Sequence, residues 1–89
     1  MNIDINGVHY WGGSNGSPPR SPTINVKIYD RSNNLISDTT GGDYYNAYPV
    51  GYTAVMTVVN AQGMHISGAS SVTLSNLYGN ANHTFTFTY

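Results

Sequence analysis

Eighty-nine residues with three Lys or Arg, four Asp, no Glu and no Cys leave room for one domain, and neither disulfides nor thiolate-bound metal can hold it together. So few cations give no electrostatic footprint for nucleic acid or an anionic membrane, and no apolar run approaches the roughly 18 residues of a membrane helix. Ile, Val, Leu and Phe number only 18 together, yet 8% charged residues is too few to drive disorder, so a folded domain with a thin core is expected.

The start, Met1-Asn2-Ile3-Asp4-Ile5, has neither a basic nor an apolar leader region, and as written reads as a chain made in the cytoplasm. Ile3 and Ile5 alternate with polar neighbours, and Asn6-Gly7 suits a type I′ turn, which predicts an N-terminal hairpin over residues 1–11. Two isolated strands are marginal in water. Ile3, Ile5, Val8, Tyr10 and Trp11 are therefore the expected assembly contacts of an attachment hairpin. Residues 12–22, Gly-Gly-Ser-Asn-Gly-Ser-Pro-Pro-Arg-Ser-Pro, carry no hydrophobic side chain and read as an arm or linker, with a surface loop as the plainer alternative.

From Thr23 onward the pattern is strand after strand. Ile24, Val26 and Ile28 alternate with Asn25, Lys27 and Tyr29, the period of a half-buried strand. Asp30-Arg31-Ser32-Asn33-Asn34 is turn chemistry, and Leu35-Ile36 returns as a partner strand. Thr39 to Asp43 breaks that pair. Residues 52–59, Tyr-Thr-Ala-Val-Met-Thr-Val-Val, form the most continuously apolar segment and predict a central strand covered on both faces. Asn60-Ala61-Gln62-Gly63 reads as a turn with Met64-His65-Ile66 coming back, and Ser71 to Leu74 as another strand. In the last strand His83, Phe85, Phe87 and Tyr89 share one face and Thr84, Thr86 and Thr88 the other. Helix formers are almost missing. The expected fold is all-β over residues 23–89: a single antiparallel β-sandwich, immunoglobulin-like, or a small barrel-like sheet.

Catalytic chemistry has little to draw on. Asp4, Asp30, Asp38 and Asp43 lie in or beside turns, where Asp most often bonds its own backbone, and His9, His65 and His83 match no metal spacing. Residues 30–34 lack the glycine and distal Glu of an EF-hand; a looser calcium site of Asp30, Asn33, Asn34 and Asp38 competes with a simple turn. Asn15-Gly16-Ser17 and Asn82-His83-Thr84 satisfy the glycan-acceptor pattern, an accidental match without an export signal. The expectation is no enzyme, no cofactor and no metal; a small hydrolase using His65 or His83 with an Asp lacks both a nucleophile elbow and a paired acid.

The aromatic usage is unusual: eight Tyr against two Phe. Tyrosine suits surfaces that bury against a partner and keep a hydroxyl to bond with. Asp43, Tyr44, Tyr45, Asn46, Tyr48 and Tyr52 form the densest cluster, a candidate patch for stacking on sugar rings or for contact with a protein neighbour. Edges dressed with Asn, Ser, Thr and Tyr, with hardly any Lys to block strand addition, invite packing against copies of the chain or a scaffold.

The run INVKIYDRSNNLISDTTGGDYYNAYPVGYT from Ile24, followed by the terminal HTFTFTY, resembles the small β-modules of bacterial surface adhesins, of the mucin-binding-repeat kind. Tyr29-Asp30, Gly51-Tyr52 and Phe85 to Tyr89 carry the likeness. The single copy, the lack of an export signal and wall anchor, and the N-terminal hairpin with its arm look more similar to a small phage capsid-decoration protein. Those resemblances imply a non-catalytic interaction protein of a virion-surface or cell-surface assembly, docking through residues 1–22. Its expected partners are itself, as a homo-oligomer, or a scaffold such as a capsid shell, with no nucleic acid and no membrane insertion. The alternative is a carbohydrate-binding or adhesion module working through the tyrosine patch.

Overall fold

The alternation of residues 23–29 survives in three dimensions: Ile24, Val26 and Ile28 are buried, and the residues between them are half exposed. The computed structural model describes residues 2–11 and 22–88, the first strand chiefly as backbone with the side chain of Ile3. In chain order the strands are β1 (Asn2–Trp11), β2 (Thr23–Tyr29), β3 (Leu35–Gly41), β4 (Asp43–Ala47), β5 (Tyr52–Asn60), β6 (His65–Ser67), β7 (Ser71–Leu77) and β8 (Ala81–Thr88). They make two four-stranded sheets, β4-β1-β8-β6 and β3-β2-β5-β7. The described residues contain no helix. The fold is the all-β sandwich that composition and periodicity indicate.

Its core is built from one face of each sheet. Ile24, Val26, Ile28, Ala54 and Met56 come from the second sheet, Ile3, Tyr44, Phe85 and Phe87 from the first, and Met64 closes the gap from a connection. Among the described residues no polar or charged side chain is buried, so no ion or hydroxyl has to be desolvated without a partner. β5 lies inside its sheet, but only Ala54 and Met56 are buried; Thr53, Val55 and Thr57 on its other face are half exposed. The expectation of cover on both faces therefore fails, because the Thr-Val-Thr alternation is that of a strand with one wet side.

The N-terminal hairpin is also corrected. Residues 2–11 form one continuous strand, paired antiparallel to β4 on one side and parallel to β8 on the other. Asn6 stands opposite Thr84 and His9 opposite Thr86, so Gly7 and Val8 together face Phe85 alone. The Asn-Gly signal marks a β-bulge, the other use of glycine within a strand. Residues 2–11 thus belong to the sandwich, not to an appendage, and the boundary drawn at residue 23 gives way to a domain that includes β1. Ile3 is fully buried, a core residue and not a docking contact. The side chains of Ile5, Val8, Tyr10 and Trp11, and the arm at 12–21, lie outside the described residues.

Connections cross between the sheets more often than the sequence suggests. β2 and β3 are the expected hairpin. β6, expected to return beside β5, instead pairs with β8 in the opposite sheet. The crossing is made by Gln62 (φ 55°) and Gly63 (φ 78°), two consecutive left-handed residues that swing the chain over the end of the sandwich. The open edges are β3 and β7 on one sheet and β4 and β6 on the other. β7 carries no charged residue, no Lys and no Pro.

Two outcomes follow from the placement of β1. Ile3→Ala should lower stability by about 2–5 kcal/mol in chemical denaturation, the usual range for emptying a buried aliphatic site. Deleting residues 1–11 should abolish the cooperative thermal transition followed by circular dichroism, since it removes an interior strand.

Candidate functional site

β4 is an edge strand, and its pleat divides the tyrosine cluster in two. Tyr44 is only 8% exposed and belongs to the core, while Tyr45 beside it is 69% exposed. Adjacent residues of a strand face opposite ways, so these two cannot serve one surface. The inward part is a clasp. The Tyr44 and Tyr48 hydroxyls hydrogen-bond to each other, Asn46 Nδ2 donates to Tyr48 Oη at 3.4 Å, and the Tyr48 ring stacks on Tyr52 with centroids 5.9 Å apart. Tyr44 comes from one sheet and Tyr52 from the other, so the clasp ties the sheets together beside the β4–β5 connection.

Burial, and then the neighbouring Tyr48 hydroxyl, push the Tyr44 phenol up to about 12. The second turn of this end is locked by Arg31, whose Nε donates to the Val50 carbonyl at 2.8 Å and whose side chain lies across Gly51. At φ +88°, with a Cβ placed only 2.7 Å from Arg31 Nε, that position is suited to glycine.

Of the six patch residues, then, Tyr44, Tyr48 and Tyr52 pack against or within the core, while Asp43, Tyr45 and Asn46 are exposed. The outward contact surface left to this edge centres on the Tyr45 ring, with Asp43 on the same side of the strand two residues away.

A second polar array was not singled out from sequence. On the outer face of the β3-β2-β5-β7 sheet, Thr40, Asn25, Thr57 and Ser71 stand in one row across four strands, and Asp38, Lys27, Val55 and Thr73 in the next. Asn25 Nδ2 donates to Asp38 Oδ1 at 2.6 Å and to Thr40 Oγ1 at 3.1 Å, Lys27 Nζ donates to Asn25 Oδ1 at 2.9 Å, and Thr57 and Ser71 share a hydroxyl bond of 3.2 Å. Lys27 and Asp38 are 4.0 Å apart and partly exposed, an ion pair of small energetic weight. The strand phase does place Asn25 and Lys27 outward, but the register shift at Ile28 and Tyr29 hides which β3 residues meet them.

The residues considered for calcium are used locally. Asp30 Oδ1 accepts from the backbone N–H groups of Ser32 and Asn34, at 2.8 and 2.9 Å, closing the β2–β3 turn. The Asn34 backbone bond, with help from Ser32, holds the Asp30 carboxyl below its ordinary value. Asp38 sits apart on β3 with Asn25 and Lys27. Of the histidines, His65 is exposed on β6 and His83 on β8 sets its ring edge-on to Phe85, centroids 4.6 Å apart, while the side chain of His9 lies outside the described residues. Among the described residues no three His, Asp or Glu side chains converge. Asn82 of the acceptor pattern is exposed on β8, and Asn15 lies outside the described residues.

With this geometry in hand, comparison with known proteins gives one structural likeness. No family model matches the sequence, and no curated protein matches it. The fold superimposes on part of the pilus-presented adhesin Spy0125 (Cpa) with a TM-score of 0.81 at 10% identity, covering 98% of this chain and 27% of that one. An identity so low speaks for shared architecture alone. This chain spans about a quarter of that adhesin, whose fold holds the same sandwich as one part of a longer protein.

The clasp makes alkaline stability a direct measurement. A phenol held neutral by the fold helps fully below the ordinary value of 10.0, and that help is lost as pH rises from there toward 12, because the unfolded chain ionises first. Tyr44→Phe should flatten this alkaline loss in denaturation curves and cost about 1 kcal/mol near neutral pH, the net worth of one hydrogen bond. Tyr45→Ala should leave stability within about 0.5 kcal/mol, as exposed sites do.

Proposed function

We propose that this chain is a non-catalytic β-module of a surface adhesion assembly, making its contact through the Tyr45 edge. One observation carries the reading: β4 turns one aromatic ring out to water while every neighbouring tyrosine is committed to holding the fold. A large exposed ring on a sheet edge, with an exposed carboxylate two residues away, is the arrangement that grips a flat partner face. The likeness to part of a pilus-presented adhesin supports a surface role and a modular one. The scarcity of charge across the chain as a whole suits lasting contact better than free diffusion.

The docking role first assigned to residues 1–11 has weaker support. Ile3 is spent on the core, and β1 already has a partner strand on each side.

A glycan array run beside a bead-adhesion assay on host-cell and extracellular-matrix protein surfaces tests the proposal. The chain is expected to be retained on at least one surface, with Tyr45→Ala lowering retention about tenfold or more at unchanged melting temperature. Signal on the glycan array assigns a sugar ligand, and signal on protein alone assigns a protein one. Retention that Tyr45→Ala leaves intact overturns the contact surface, and no retention anywhere overturns the adhesion role.

A further inference from the structure

The pairing of β1 with β8 decides where the backbone comes into the sandwich and where it leaves. Ile3 stands opposite Ala81 and Trp11 opposite Thr88, so the two strands run side by side in the same direction. At about 3.3 Å per residue the stretch from Ile3 to Trp11 spans roughly 26 Å. Chain therefore arrives at one end of the sheet and departs from the other. A pull on the two flanks acts along both strands in opposite senses and slides one past the other. All the rungs between them are loaded together, whereas a hairpin pulled at its open end parts one rung at a time.

We infer that the β1–β8 ladder is a shear clamp, and that the module resists forced unfolding most strongly along the line between its two flanks. The ladder has two blocks, Ile3 to Asn6 against Ala81 to Thr84 and His9 to Trp11 against Thr86 to Thr88, on either side of the bulge. Neither strand is at an edge. β1 also holds β4 from Asn2 opposite Ala47 to Asn6 opposite Asp43, and β8 also holds β6 from His65 opposite Thr88 to Ser67 opposite Thr86. Sliding either strand therefore disrupts a second ladder. It also drags Ile3, Phe85 and Phe87 out of the core, which ties backbone slippage to the exposure of apolar surface. Resistance of this kind goes beyond the adhesion role and stands on strand register and core packing, without reference to any ligand.

Single-molecule pulling on the full chain in two directions tests it, because forced unfolding reads the barrier along the direction of load. The sequence has no cysteine, so introduced thiols are unambiguous handles. One protein carries cysteines added before Met1 and after Tyr89. The other carries Gln62→Cys with the same C-terminal handle; β6 begins where β8 ends, so this pull opens β6 from β8 from one end. At equal loading rate the first direction should need a several-fold higher unfolding force than the second. Ala61→Cys supplies the same opening direction should Gln62→Cys melt early. Equal forces, or a weaker response along the flanks, overturn the clamp. Ligand retention plays no part in the readout, so failure here leaves the adhesion role standing, and failure there leaves the clamp.

Discussion

Apolar volume is the scarce quantity in this protein, and its use governs the rest of the structure. Two facing sheets stand about 10 Å apart and the space between them must be filled by side chains. Three inward residues of β2, two of β5 and the two phenylalanines of β8 do most of this. Ile3 completes the layer, which is why the first strand lies in the middle of its sheet and not on an arm. Where aliphatic residues run out, at the end closed by the β4–β5 connection, tyrosines take over. Their rings supply contact area, and their hydroxyls find one another instead of being buried alone.

The same scarcity orders the polar groups. Apart from the Tyr44 hydroxyl, which bonds to Tyr48, the ionisable side chains among the described residues belong to the rims, turns and outer faces. Asp30 serves its own turn, and Lys27, Asn25 and Asp38 knit β2 to the edge strand β3. Such a molecule has an apolar frame, and its chemical individuality is confined to what protrudes. Tyr45 protrudes furthest among the residues of β4 that the pattern had grouped together.

What could be seen in the sequence was local. Alternation in residues 24–28 and 83–88 revealed which side chains face inward, because a strand's period needs no knowledge of its neighbours. The Asp30 to Asn34 turn announced its hairpin for the same reason. Pairing across distance was invisible: nothing near residue 5 says that residue 83 lies beside it, and Asn6-Gly7 speaks equally for a turn and for a bulge. The switch of β6 between sheets was hidden likewise, since its two left-handed residues look like any tight turn. The tyrosine cluster was half legible. Its density was evident, but treating Tyr44 and Tyr45 as one surface overlooked that a strand separates consecutive residues onto opposite faces.

The bond between the first strand and the last also dictates an order of events. On a ribosome the residues of β1 emerge early, yet their partner β8 is the last strand of this sandwich to appear. Long-range closure of this kind is slow and comes late. The sheet that holds β1 therefore stays open until β8 has emerged.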